Sequence, residues 1–282
     1  MIRPTIESFT ASDGYRFHYR RWTTGGPIGH VVLMHGIISH SGWYLKTGDH
    51  LASLGLDVHS LDRRGSGMNT VSRGDVPQYE TWITDVTEYV RSISPTAPIL
   101  LIGISWGGLL ATAVAKRLSE QSQNRPSGLA LLCPGFFSRK GTGRVQHLAV
   151  RIARAIGLGN LRFPVPLRDP ELFTTVADKI AYIRDDPKTL REVTLRLASA
   201  SADLYHETIH RARRIETPTL LMLAGRDAIV HNEPVRAFVQ KHFGDNPEVI
   251  EYPQAAHTLE FESDTSEYLR DLGQWCVKIA KP

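Results

Sequence analysis

Between Arg91 and Lys116 the chain carries no charged residue. A run of this kind either crosses a membrane or lies inside a folded core, and its prolines and glycines decide which. A spanning helix needs about 20 continuous apolar residues with every backbone group satisfied internally, whereas this run contains Pro95, Pro98, Gly103, Gly107 and Gly108. It reads instead as two elements. Ile99 to Ile102 has the aliphatic character of a strand buried on both faces, and Leu109 to Ala115 is built of helix formers. Gly-Ile-Ser-Trp-Gly, residues 103–107, joins them.

The same kind of strand recurs along the chain. VVLM at 31–34, LDVHSL at 56–61, ILLI at 99–102, LALLC at 129–133, TLLML at 219–223 and VIEY at 249–252 are mostly separated by stretches long enough for a helix. That alternation predicts an α/β fold with a mainly parallel, doubly wound sheet and helices on both faces. Ahead of it, Asp13-Gly14 suggests a hairpin turn, and Tyr15, Phe17 and Tyr19 alternate with Arg16, His18 and Arg20 at the period of a half-buried strand.

One interval breaks the rhythm. Roughly 80 residues lie between Pro134 and Pro218, where a crossover needs about a dozen, so the spacing predicts an inserted helical cap. The expected division is a core of residues 1–134 and 211–282 and a cap of residues 135–210. Within the cap Val145, Leu148, Ala149, Ile152 and Ile156 repeat at helical spacing with Arg144, Arg151 and Arg154 among them. This is the pattern of a helix lying over the core, or of a lid that touches lipid surfaces transiently.

Charge and cysteine usage narrow the partners. The net charge of +4 comes from 33 basic and 29 acidic residues, and the densest basic group, Arg211, Arg213 and Arg214, reads as a solvated helix end rather than a nucleic-acid patch. The amino terminus MIRPTIESFTASDG lacks the apolar stretch of a secretory signal, which points to the cytoplasm. Cys133 and Cys276 both fall on apolar faces and are expected as buried thiols, with no metal-ligand cysteine spacing.

A serine between two glycines on a strand-to-helix turn has a specific use. Such a turn holds the serine in a strained backbone geometry and lifts its hydroxyl above the sheet, and Gly103 and Gly107 let neighbouring backbone pass closely. The hydroxyl is a weak nucleophile until an imidazole takes its proton, and an acid must hold that imidazole in one tautomer. Of 12 histidines, His257 follows the last predicted strand in PQAAHTLEF, and Asp227 follows TLLML in AGRD, at the carboxyl edge of the sheet. Ser105, Asp227 and His257 come in the order nucleophile, acid, base. The backbone N–H groups of Ile37, after VVLM, and Trp106, at a helix start, are the candidate oxyanion donors.

HGIISHSGWY, LDRRGSG, GISWGG and AGRD with a late AAH together resemble the α/β-hydrolase superfamily, and within it the monoacylglycerol lipase and lysophospholipase-like branch. The resemblance covers most of residues 15 to 280 and is weakest in the cap. It implies the α/β-hydrolase fold, a catalytic triad of Ser105, Asp227 and His257, an oxyanion hole at Ile37 and Trp106, a small-molecule acyl ester as substrate, and no cofactor or metal. The branch's first loop usually has glutamate where Ser39 stands and arginine where Trp43 stands, with small residues common at Ile37 and Ile38. Those departures imply a narrower, drier substrate pocket, walled by Ile38 and Trp43, with fewer partners for glycerol.

Other readings compete for some of these residues. His206 and His210, one helical turn apart with Glu207 beside the first, imitate a zinc-peptidase helix, but the glycine-and-histidine continuation is missing after His210, and a strand and Asp227 intervene before Glu233, the other third-ligand candidate, so they read as cap residues. Asp62 reads as part of a tight turn shaped by Gly65 and Gly67, and His35 and His40 as braces of the oxyanion loop. The same triad would also serve a thioester, a carbon–carbon bond beside a carbonyl, or acyl transfer, and the fold without turnover would serve as a small-molecule receptor.

Overall fold

The computed structural model describes residues 2–93, 97–120, 125–139, 157–212, 214–244 and 246–281. The chain opens with an antiparallel hairpin, β1 (Thr5–Thr10) and β2 (Arg16–Trp22), turned at Ala11–Tyr15. Phe17, Tyr19 and Trp22 face inward, and Phe17 and Tyr19 pack against Tyr89. The strands β3 (Gly29–Met34), β4 (Leu56–Leu61), β5 (Ile99–Ile104), β6 (Gly128–Leu132), β9 (Thr219–Ala224) and β10 (Glu248–Tyr252) contain the six aliphatic runs seen in the sequence. Together with the hairpin they form an eight-stranded sheet in the order β1-β2-β4-β3-β5-β6-β9-β10.

Strands β4 to β10 of that order are parallel, and β2 joins antiparallel to β4. Every residue of β3, β4, β5, β6 and β9 is buried because helices cover both faces. Helix α1 (Leu45–Ser53) packs with α7 (Ser266–Ala280), while α2 (Tyr79–Ser92) packs with α3 (Trp106–Glu120). Helix α6 (Asn232–His242) lies on β9. Cys133 and Cys276 are buried free thiols. Among the described residues no helix is long and apolar enough to cross a membrane.

The order of the sheet decides where chemistry can sit. From β3 the chain moves outward to β4, then returns to the other side of β3 as β5, so the loops after β3 and β5 leave the sheet in opposite directions. That reversal opens a crevice at the carboxyl ends of the strands. Residues 35–44 and Ser105 stand at its two sides.

Between β6 and β9 the described chain contains more than helices. A short antiparallel pair, β7 (Arg162–Pro164) and β8 (Glu192–Thr194), accompanies α4 (Ala177–Asp185), α5 (Leu195–Tyr205) and a π-helical turn, His206–His210. The strand pair is absent from the sequence reading because three-residue strands carry no periodicity. The helix expected around Val145, Leu148, Ala149, Ile152 and Ile156 lies outside the described residues.

Residues 165–201 touch the loops of the sheet directly. The Leu190 N–H donates to the Ile38 carbonyl at 2.9 Å, Thr194 N–H to Gly74 at 2.9 Å, and Thr258 N–H to Phe173 at 2.9 Å. Asp75 accepts from the Thr194 hydroxyl at 2.5 Å and pairs with Arg196. Burial opposes ionisation of Asp75, but the Arg196 and Thr194 donors outweigh it and its pKa falls below the ordinary value of 3.8. A carboxylate with a lowered folded pKa contributes stability that is complete above the unfolded value and is lost as pH falls through the folded one. Because Arg196 is about a third exposed, Asp75→Asn is expected to cost about 1 kcal/mol at neutral pH, or about 2–4 °C in Tm. Calorimetry should also show the variant losing less stability than wild type between about pH 5 and pH 3.

Candidate active site

Ser105 lies between β5 and α3 with φ +54°, a left-handed conformation that a non-glycine residue adopts only when its surroundings impose it. They do so from three directions. Its N–H donates to the Leu132 carbonyl at 2.9 Å, and its own carbonyl accepts from Gly108 and Gly135 at 2.8 Å each. The two flanking glycines are required by contact distances. A Cβ on Gly107 would stand 2.1 Å from the Met34 carbonyl oxygen, and one on Gly103 would stand 2.7 Å from the Gly107 carbonyl oxygen and Gly108 Cα. Strand, turn and helix therefore meet with backbone against backbone.

His257 and Asp227 converge on this serine from later loops. His257 Nε2 is 2.8 Å from Ser105 Oγ, and His257 Nδ1 is 2.7 Å from Asp227 Oδ2. A carboxylate can only accept, so Nδ1 carries the proton and Nε2 is left to accept from the serine hydroxyl. Asp227 is held in turn by the N–H groups of Ile229 and Val230, each donating to Oδ1 at 2.8 Å. All three side chains are buried, and Phe173 places its ring edge-on to the His257 imidazole with centroids 5.9 Å apart. The nearby Cys133 thiol is pushed well above its usual range by burial and by the Asp227 charge, so it stays protonated.

The loop after β3 stands against the serine. A Cβ on Gly36 would come within 3.7 Å of Ser105 Oγ, so the Gly36–Ile37 peptide borders the serine hydroxyl. Among the described residues neither the Ile37 N–H nor the Trp106 N–H donates to another protein group. His35 holds the loop from below. Arg63 N–H donates to His35 Nε2 at 3.2 Å, so His35 Nδ1 carries its proton and donates to Gly36 O at 2.7 Å. Burial, then the Arg63 charge, keeps this imidazole neutral by driving its pKa well below 6.5.

Three further carboxylates act as staples. Asp62 accepts from Ser41 N–H at 2.6 Å and from Met68 N–H at 2.7 Å, and its carboxyl fills the space where a Gly67 side chain would begin. Gly65 and Gly67 both have positive φ, as the tight turn required. Asp186, from the segment before β8, accepts from His40 Nε2 at 2.5 Å and from Trp43 Nε1 at 3.3 Å. Glu260 is buried and accepts from the N–H groups of Lys46 and Thr47, and from Thr47 and Tyr268 hydroxyls.

The structure separates the remaining sequence candidates. Ile38 and Trp43 are both buried, and Trp43 packs on Phe173, Tyr182 and Phe261. The Ser39 hydroxyl is 3.1 Å from the Tyr44 hydroxyl. Glu207 is paired with Lys116 at 2.7 Å and Arg211 at 3.4 Å, which removes it as a free base beside His206 and His210. Arg213 lies outside the described residues. Among the described residues two clusters bring metal-type donors together, and both are engaged internally. Cys133 shares Asp227 and His257 with the serine, while His30, Asp57 and His59 surround an Asp57 carboxylate that already accepts from Arg21 and Thr24.

The profile of one protein family, described as serine aminopeptidase, S33, matches residues 25–264. The chain belongs to this family. Its fold is the α/β-hydrolase fold, and family membership makes it a serine hydrolase. A monoacylglycerol lipase from Mycolicibacterium smegmatis is 25% identical over 275 residues, spanning 96% of each chain. A soluble variant of the Saccharomyces cerevisiae monoglyceride lipase, solved with a substrate analogue, aligns with TM-score 0.86 at 20% identity over 100% of this chain and 97% of that one. A thermostable carboxyl esterase from Bacillus coagulans, solved with glycerol, aligns with TM-score 0.85 at 18% identity over 99% and 100%. At those two identities the likeness is one of fold.

Sequence reasoning passed over Arg63 and Asp186, which hold the first loop from opposite sides. The signal for Arg63 was its place in LDRRGSG, straight after a buried strand; Asp186 left none, since its partners are 146 and 143 residues away. The closeness of β3 and α3 sets a direct test of the turn. Gly107→Ala must push the helix from Met34, and overpacking of this kind costs about 1–3 kcal/mol or more. Urea unfolding should show a lowered midpoint for it, whereas Gly26→Ala, with nothing within 4 Å of the added carbon, should shift stability by less than about 0.5 kcal/mol.

Proposed function

We propose that the chain is a carboxylesterase of the lipase-like kind, in which Ser105 attacks an acyl ester carbonyl and forms an acyl-enzyme. His257 Nε2 takes the hydroxyl proton and returns it to the leaving alcohol. Asp227 keeps His257 in the reactive tautomer and supports the imidazolium once it forms. The N–H groups of Ile37 and Trp106 receive the developing oxyanion. A water molecule, deprotonated by His257, then releases the acid. The observation that carries this reading is the continuous bonded chain from Asp227 through His257 to Ser105, with contacts of 2.7 and 2.8 Å.

Residues 135–210 are proposed to form a cap over this site, set against a core of 1–134 and 211–282. Phe173 beside His257 and Trp106 Nε1 bonded to Ser201 at 2.7 Å support that assignment. Exposed Leu158 and Leu161 are the cap residues suited to brief contact with a lipid surface. The relatives named as monoacylglycerol lipases favour an acyl ester of a small alcohol. Here Ser39 and Trp43 bring no charge, and their polar atoms are engaged with Tyr44 and Asp186, so neither position is suited to hold a glycerol head group. Alkyl and aryl esters are the preferred class, with Ile38 and Trp43 shaping an apolar wall.

Hydrolysis of p-nitrophenyl esters of graded acyl length, beside matching monoacylglycerols and lysophospholipids and with a chelator control, tests this. Ser105→Ala is expected to abolish turnover while leaving the melting temperature unchanged. Asp227→Asn should lower kcat by about 10⁴, because an amide there selects the wrong imidazole tautomer. Full activity in either variant removes the corresponding assignment, and a wild type inert on all three series overturns ester hydrolysis as the function.

A further inference from the structure

Arg63 is a cation in an unusual place. It follows β4 by two residues and is only 6% exposed, yet among the described residues no carboxylate lies within ion-pair distance of it. Its neighbour Arg64 shows the ordinary solution, pairing with Asp85 and Asp13. Asp62, the adjacent acid, uses both oxygens on backbone N–H groups instead. Burying a charge without an ion-pair contact is costly, and here burial pushes the guanidinium down to about 9 against the opposing pull of the Asp62 charge.

What the cation touches is the peptide chain of the first loop. Nη1 donates to Gly36 O at 2.8 Å and Nη2 donates to Ile37 O at 2.6 Å. His35 Nδ1 donates to the same Gly36 oxygen, so that carbonyl is gripped twice. The guanidinium carbon lies 4.7 Å from the centroid of the Trp106 ring and 6.0 Å from that of Trp82, and these rings face it in place of an acid. Gly36 O and the Ile37 N–H belong to one planar peptide unit and point in opposite directions. Holding the oxygen therefore aims the hydrogen, and a cationic donor on the oxygen also strengthens that N–H as a donor.

We propose that Arg63 is a positioning residue for the oxyanion donor: it grips the carbonyl oxygens of Gly36 and Ile37, the first of which belongs to the Gly36–Ile37 peptide, so that the Ile37 N–H faces the ester oxygen and the cationic charge behind it stabilises the negative charge collecting there. The proposal rests on Ser105 being the nucleophile. The adjacent Asp62 acts on the guanidinium through its charge, but both of its oxygens are spent on backbone N–H groups, so the donor fork stays directed at the loop carbonyls. The side chain does not touch substrate; it acts through the peptide.

Arg63→Met, which removes fork and charge, and Arg63→Lys, which keeps the charge without the two-pronged grip, are compared with wild type and Ser105→Ala. The readouts are kcat and KM on p-nitrophenyl butyrate, Ki for a trifluoromethyl ketone that adds Ser105 as a hemiketal oxyanion, and active-site concentration by fluorophosphonate titration. After correction for titrated sites, Arg63→Met should lose about 10²–10³ in kcat with KM nearly unchanged, and should bind the ketone more weakly by a similar factor. Arg63→Lys should recover part of both. Wild-type kcat and ketone affinity per titrated site in either variant overturns the proposal, as does a loss confined to KM or to the number of active sites. If Arg63→Met does not fold, Arg63→Lys alone decides between a lowered kcat with weakened ketone binding and wild-type values. Undiminished turnover in Ser105→Ala would bring down the nucleophile assignment itself, and this proposal with it, whereas Ser105-dependent turnover with unaffected Arg63 variants brings down only the role of Arg63.

Discussion

The carboxyl edge of this sheet depends on how closely α3 approaches β3. The Met34 carbonyl oxygen occupies the position where a Gly107 side chain would begin, so the helix starts against the strand with no side chain between them. That contact turns the chain through Ser105 at a positive φ and lifts its hydroxyl out of the sheet. The strain is tolerated because both backbone groups of Ser105 are bonded to neighbouring segments, which leaves the residue no cheaper conformation. A hydroxyl held this way has little conformational freedom left to lose.

Around that fixed point the molecule uses buried carboxylates to join segments far apart in sequence. Asp227 orients the His257 ring, Asp62 ties the first loop to the turn after β4, Asp186 ties it to the segment before β8, and Glu260 ties the start of α1 to α7. A carboxylate suits this purpose since its two oxygens can accept several donors from different directions. Burial works against ionisation of Glu260 and raises its pKa, while the donors to Asp186 outweigh burial and lower its pKa. The loops at the crevice are thereby tied to elements distant in the chain.

Much of the framework was readable in the sequence. The six aliphatic runs became strands because a segment buried on both faces must be apolar at nearly every position, which shows without any knowledge of its neighbours. Ser105, Asp227 and His257 were legible for a different reason: each follows a strand, and strands of a parallel sheet deliver their following loops to one edge. The strand pair β7–β8 was not legible, because its residues are defined by a partner some 30 positions away rather than by local pattern. Arg63 illustrates the same limit. In the sequence it is one of two adjacent arginines, and nothing local tells which of them receives carboxylates and which receives carbonyls.

Local patterning was enough to specify the class of fold and the three residues that meet at the crevice, since hydrophobic periodicity and the glycine-flanked serine are signals with a physical cause inside the segment. Tertiary structure decided the rest: which nitrogen of His257 faces the serine, which groups grip the Gly36–Ile37 peptide, and how Asp75 and Asp186 fasten the segment between β6 and β9 to the sheet. Those are directional contacts between groups distant along the chain. Their geometry exists only once the packing of the whole sheet has brought the groups within hydrogen-bond reach.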